Sequence, residues 1–264
     1  MLKGINLYFT DKLPLKERIE MVSKAGFDGV LMFYPDPKEV DQNWLKKVLR
    51  DNNLKIIMIH SRYDESVLDK FWEDGEIGDM VEKDYIDQLK NCKDFAPVHM
   101  IYHFNASKNV KYTRIGSERI SRMLKVANSL GITICSENLY LDDMQTSILE
   151  DFRQDNMKMC YDCGHENFLT PKANFLGRFG DDIVETHLHD NHGLTDEHKP
   201  IGEGNIDYDM IAKKLSKLSE TLPLCLEIKR IDDRLSLDFL KAQKASLDKL
   251  EKKINNYRKV EVSR

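Results

Sequence analysis

The chain has 264 residues, a length that does not force a second domain, so one domain over 1–264 is expected. Its 41% apolar and 32% charged residues are ordinary for a globular protein and exclude general disorder. The net charge of −5 speaks against broad nucleic-acid binding, and no stretch approaches the ~20 apolar residues of a membrane span.

Short apolar, β-branched runs recur along the chain, separated by helix-length amphipathic segments. In order, the runs are 4–9, 29–34, 55–60, 98–104, 132–137, 157–162, 183–189 and 222–228. After the first, Leu15, Ile19 and Val22 fall on one face of a predicted helix over 15–25. Ile120, Met123, Leu124 and Ala127 do the same over 117–130. Gly26 and Gly131 stand where each helix hands over to a strand. Two connections are longer than the rest, 61–79 and 190–209, and both follow strand C-terminal ends. Near-continuous apolar strands alternating with helices imply parallel strands covered by helices. Eight units in this length favour a closed (β/α)8 TIM barrel over an open doubly wound sheet.

The N-terminal segment lacks an apolar core followed by a small-residue cleavage site, so the cytoplasm is the expected compartment. Five cysteines, an odd and sparse set, read as reduced thiols. Cys160 and Cys163 form a C-x-x-C, but Cys135, Cys160 and Cys225 sit inside apolar runs, where Cys acts as a small hydrophobe.

Six of the eight runs end in, or lead directly into, a residue type that binds metals or moves protons. These are His60, His103, Glu137, Asp162 with His165 three residues on, His187, and Glu227. In a parallel barrel all strand C-terminal ends surround one mouth, so distance in sequence is no obstacle to a shared site. A lone Glu after an apolar run is more often a solvated loop residue. Two such carboxylates in apolar strands, with Asp162 and His187 in equivalent places, instead point to a shared cation, because burying them unpaired is costly. His187 and His189 alternate onto one face, so one of them could sit behind the site or at its rim. His99 stands at a strand start, away from the mouth, and reads as structural. In 190–209, Asp196 and His198 are expected to project to one side of an extended segment, as a metal requires. Gly202 and Gly204 would fold that loop over the mouth, and Asp207 would cap the next helix.

The motifs Ser136-Glu137-Asn138, Tyr161-Asp162-x-Gly164-His165-Glu166-Asn167, His187-Leu188-His189-Asp190-Asn191, Asp196-x-His198-x-Pro200-x-Gly202-x-Gly204-x-Ile206-Asp207 and Leu226-Glu227 resemble the xylose-isomerase-like barrel superfamily. That superfamily includes sugar phosphate isomerases and epimerases and the family 2 apurinic (AP) endonucleases. The resemblance implies one divalent ion (Mn, Zn, Mg or Co) held by Glu137, Asp162, His187 and Glu227. It further implies Glu137 and Glu227 as the catalytic acid and base of an isomerase or epimerase acting on a small sugar or sugar phosphate. His165 would then contact substrate.

The endonuclease branch implies an alternative with up to three zinc ions. His60, His103 and Glu137 would hold one, the four central residues the second, and His165, Asp196 and His198 the third. Nucleic acid is a partner only in that zinc phosphodiesterase reading, against which 61–64 departs from the branch's duplex-inserting loop and no basic stripe is evident. The segment Phe71-Trp72-Glu73-Asp74-Gly75 and His189-Asp190-Asn191 look more like the isomerase and epimerase relatives. A metal-dependent dehydratase on the same scaffold is the further alternative, and a homo-oligomer is compatible with all three readings.

Overall fold

Strand and helix alternate as the periodicity predicts, in a computed structural model that describes residues 1–229 and 232–262. The order is β1 (Lys3–Asn6), α1 (Leu15–Lys24), β2 (Gly29–Phe33), α2 (Gln42–Asp51), β3 (Lys55–His60), α3 (Glu76–Asn91), β4 (Val98–Tyr102) and α4 (Arg114–Leu130). It continues with β5 (Ile132–Glu137), α5 (Asp142–Phe152), β6 (Lys158–Asp162), α6 (Cys163–Phe168), α7 (Phe175–Arg178), β7 (Ile183–His187), α8 (Tyr208–Leu215), β8 (Leu224–Leu226) and α9 (Leu237–Val262). The strands pair in parallel in the order β7-β6-β5-β4-β3-β2-β1-β8. A parallel bridge between Leu188 and Leu226 joins the two ends, with the Leu188 N–H donating to Cys225 O at 2.8 Å and the Glu227 N–H to Leu188 O at 3.1 Å. The fold is thus a single TIM barrel, as expected, and the open-sheet alternative is set aside.

Helix ends follow the local chemistry. Asp41 caps α2 by accepting from the Asn43 and Trp44 N–H groups, and Thr113 caps α4 by accepting from Gly116 N–H. Gly131 closes α4 at φ 70°, a left-handed conformation that glycine takes without a Cβ penalty. Asp207 caps α8, accepting from the Asp209 and Met210 N–H groups at 3.0 Å each. No helix among the described residues is long and apolar enough to cross a membrane.

Two cores result. The larger lies between the strands' outer face and the helices. The smaller fills the barrel interior with Leu31, Ile57, Met58, Ile101, Cys135, Cys160 and Cys225. Strand alternation then dictates what stands above it, because the residue two positions on points inward again. Above Leu31, Met58, Ile101, Cys135, Cys160 and Cys225 come Phe33, His60, His103, Glu137, Asp162 and Glu227; Glu185 precedes His187 in the same way. The apolar layer plugs the barrel and forms the dry floor of the mouth.

Several ladders are shorter than the apolar runs suggest, stopping at Asn6, Tyr102, His187 and Leu226. Past the end of β8, and again between the ends of β5 and β6, an asparagine side chain replaces the neighbouring backbone. Asn6 Nδ2 donates to Ile228 O at 2.9 Å and its Oδ1 accepts from Ile228 N–H at 3.0 Å. Asn138 donates to Asp162 O and accepts from Asp162 N–H, both at 2.8 Å.

Candidate metal centre

The mouth collects all nine side chains singled out in the sequence. One ligand atom from each of Glu137, Asp162, His187 and Glu227 lies within 4.8 Å of the others, and the same holds for His60, His103 and Glu137, and for His165, Asp196 and His198. Eight of the nine are buried, and the Asp196 side chain keeps 31% of its exposure.

Glu137 is the hub. Its Oε2 lies 3.0 Å from His103 Nε2 and 3.3 Å from His60 Nε2, while Oε1 lies 3.0 Å from His187 Nδ1 and 3.2 Å from His165 Nδ1. His187 Nδ1 is also 3.0 Å from Glu227 Oε2 and 3.7 Å from Asp162 Oδ2. One imidazole N–H cannot serve two carboxylates at hydrogen-bond distance and a third close by. Three buried carboxylates converging on one point repel one another, and a divalent cation offsets that repulsion. The donor set of three carboxylates and one imidazole therefore fits a hard or borderline divalent ion.

Backbone carbonyls set the tautomers of the outer imidazoles. His60 Nδ1 faces Ser61 O at 2.8 Å, and His198 Nδ1 faces Glu227 O at 3.0 Å. Donation there leaves each Nε2 lone pair toward the cluster, the orientation a ligating imidazole needs. His198 Nε2 meets Asp196 Oδ2 at 2.6 Å, and the other oxygen, Asp196 Oδ1, is buried without a hydrogen-bond partner.

Burial alone would push Glu137 up, but the charges of His187 and His103 and the hydrogen bonds from His103 and His165 together outweigh it and hold the carboxyl well below the usual carboxylate range. Glu227 follows the same balance, with His187 and His198 outweighing burial. Burial pushes His187 and His165 down; Cys160, Glu227 and Glu137 nevertheless raise His187, and Asp162, Asp196 and Glu137 raise His165, well above the ordinary histidine value. These protons occupy the places a cation would take.

The loop over the mouth corrects one expectation. Asp196 and His198 do converge, but not from an extended segment, because His198 has φ 47°. Asp190 clasps this loop. It exchanges backbone hydrogen bonds with Lys199 at 2.7 and 2.9 Å, and its carboxylate accepts from Gly202 N–H at 2.9 Å and Ile206 N–H at 3.1 Å. The other long connection is held by Arg119 of α4, which is buried and donates to Phe71 O at 2.6 Å, Glu73 O at 2.7 Å and Asp79 at 2.6 Å.

Three residues at the mouth were not singled out by sequence reasoning, or not given a role. His189 Nε2 sits 3.1 and 3.2 Å from the two Asp162 oxygens. Tyr8 donates to Glu227 Oε1 at 2.6 Å, and Phe33 stacks on Tyr8 with centroids 3.9 Å apart. An aromatic residue at the end of an apolar run carries no mark that separates it from core.

The remaining thiols are inert. Burial raises Cys135, Cys160, Cys163 and Cys225, and Cys163 Sγ donates to His189 O at 3.2 Å, apart from the interior Cys160. His99, as expected, takes no part in the mouth and bonds Glu185 at 2.6 Å. That pair lines a cavity of about 610 Å³ at the opposite end of the barrel. On the mouth side, a cavity of about 550 Å³ runs between Phe33, Arg62 and Tyr63, and one of about 110 Å³ lies among His103, His165, Asp196 and Lys229.

Known proteins share this architecture. A D-tagatose 3-epimerase-like protein superposes with a TM-score of 0.80 at 19% identity, covering 97% of this chain and 99% of that one. The IOLI protein with a bound zinc atom superposes with a TM-score of 0.78 at 18% identity, covering 97% and 99%. At such identities the likeness is one of fold. An uncharacterised protein of Methanocaldococcus jannaschii, MJ1311, is 31% identical over 125 residues, which are 43% of this chain and 43% of that relative, so the match spans less than half of its length. The profile of the xylose isomerase-like TIM barrel family matches residues 19–253, and the chain belongs to that family.

Proposed function

We propose that the protein is a divalent-metal-dependent isomerase or epimerase acting on a small sugar or sugar phosphate. The observation that carries this reading is the convergence of Glu137 and Glu227 on one point, each 3.0 Å from His187 Nδ1. Two ionised carboxylates facing one point can take a proton from one side of a substrate carbon and return it from the other. Glu137, Asp162, His187 and Glu227 would hold the cation, which when bound supplies polarisation of the substrate's carbonyl and hydroxyl oxygens. His165 and Lys229, at the rim beside Asp196, are placed to bind substrate oxygens. The epimerase-like and zinc-bound structural neighbours support the same class.

A second reading, a three-ion phosphodiesterase, is favoured by the two outer clusters and by the division of Glu137 between His60/His103 and His187/His165. Two measurements test these readings together. Elemental analysis of the loaded protein should give one tightly held ion per chain for the isomerase and three for the phosphodiesterase. Glu227→Gln should lower isomerase turnover by ~10² to 10⁴, as removal of a general acid or base does. Full activity in that variant would reduce Glu227 to a structural role.

A further inference from the structure

Six strands bring ligand-type side chains to the inward position at the mouth, and the other two, β1 and β2, lead there to Tyr8 and Phe33. These two aromatics are stacked, with centroids 3.9 Å apart and planes 22° from parallel. Phe33 is 45% exposed and meets His60 edge-on at 5.3 Å, while Tyr8 lies beneath, packed on the interior core. A phenylalanine at position 8 would make the same stack. The hydroxyl is the part that packing does not require.

That hydroxyl donates to Glu227 Oε1 at 2.6 Å, a length typical of an O–H group on an ionised carboxylate. The other oxygen, Oε2, stands 3.0 Å from His187 Nδ1 and 3.9 Å from His198 Nδ1. A carboxylate is a rigid plane, so fixing one oxygen fixes the direction of the second. Glu227 follows the last paired residue of β8, Leu226, and its backbone is held by Leu188 O and His198, which leaves the direction of its carboxylate to side-chain contacts. One such contact comes from the chain that follows β1, the neighbour of β8, in the Tyr8 hydroxyl.

We propose that Tyr8 is a positioning residue: its hydroxyl fixes Glu227 Oε1 so that Oε2 faces the Glu137–Asp162–His187 cluster, and Phe33 pins the Tyr8 ring from the mouth side. The proposal rests on the cation site described above but not on the reaction assigned to it. Tyr8→Phe removes the hydroxyl and keeps the stack, so it separates positioning from packing.

The experiment titrates Co²⁺ into metal-free parent, Tyr8→Phe and Phe33→Leu, following visible absorption and heat. Loss of a hydrogen bond to a ligating carboxylate typically costs ~10- to 100-fold in metal affinity, so Tyr8→Phe should bind the tightest Co²⁺ at least ~10-fold more weakly and shift its absorption bands. Phe33→Leu should change affinity in the same direction and by less. In parallel, epimerisation of a panel of ketoses that includes D-tagatose is measured with the Mn²⁺-loaded proteins; on the ketose turned over, Tyr8→Phe at saturating metal should lower kcat about tenfold with KM within about twofold, the effect expected when only transition-state alignment is lost. Unchanged Co²⁺ affinity and spectrum in Tyr8→Phe would overturn the proposal, whatever the parent's activity. A parent that does not turn over any ketose, with a Tyr8→Phe that binds Co²⁺ weakly, would overturn the isomerase reading and leave the positioning role standing.

Discussion

His189 lies flat on His198, with ring centroids 4.0 Å apart and planes 9° from parallel, while its Nε2 reaches both oxygens of Asp162. One imidazole therefore ties a residue of the central cluster to one of the outer cluster. The stack is backed by Gly164, where an added Cβ would stand 1.9 Å from His189 Cε1. Gly164→Ala should push His189 off Asp162, destabilise the fold by ~1 to 3 kcal/mol as overpacking does, and weaken zinc binding at the central cluster. Urea unfolding and zinc titration read the two effects. Parent-like values in both would show that His189 does not order these ligands.

Asp190 should govern the loop over residues 190–209. Asp190→Ala leaves the Gly202 and Ile206 N–H groups without their acceptor, and each such loss costs about 1 to 3 kcal/mol locally. Hydrogen exchange of those two amides should accelerate, and a metal held by His165, Asp196 and His198 should be lost before the central one. Retained amide protection would place the loop's stability elsewhere.

Arg119 makes a separable prediction about the third strand's long connection. Arg119→Leu removes the donors to Phe71 O and Glu73 O and should destabilise the protein by about 2 to 4 kcal/mol, with central metal affinity preserved. Denaturation with and without metal distinguishes the two quantities.

Much of the site was legible because strand period and barrel geometry act together. A ligand-type residue two positions after an inward apolar residue, as in Cys135-Ser136-Glu137 or Cys225-Leu226-Glu227, falls on the mouth layer without any knowledge of long-range contacts. The strand ends were less legible. Runs such as 98–104 and 222–228 continue beyond the last paired residue; past β8 the Asn6 side chain stands in for a backbone partner, as Asn138 does at the end of β6, a tertiary event with no local signature. The left-handed His198 was hidden for the same reason, since its partner, Glu227 O, is distant in sequence. Tyr8 and Phe33 lie inside the runs 4–9 and 29–34, where nothing local separates an aromatic residue at the mouth from one in the core.

Protons and cation should compete. His187 and His165 are raised well above the ordinary histidine value, so the metal-free site holds protons on them at neutral pH, while Glu137 and Glu227, held low, stay ionised. A cation needs the nitrogen lone pairs, so binding expels protons; affinity should rise with pH and fall as pH drops. Zinc calorimetry in buffers of different ionisation enthalpy should show net release of about one proton or more, larger at about pH 6 than at about pH 9. Proton release independent of pH would contradict the assigned balance of charges.

The most direct test of the central claim is proton exchange at carbon. The Mn²⁺- or Zn²⁺-loaded protein is incubated with D-tagatose and other ketoses in D₂O and followed by NMR. Deuterium should enter beside the carbonyl with the parent and be lost in Glu227→Gln, while His60→Ala with His103→Ala retains the central ion. No exchange into any ketose, together with cleavage of an abasic-site duplex that collapses in the His60/His103 double variant, would contradict the isomerase reading and establish the phosphodiesterase.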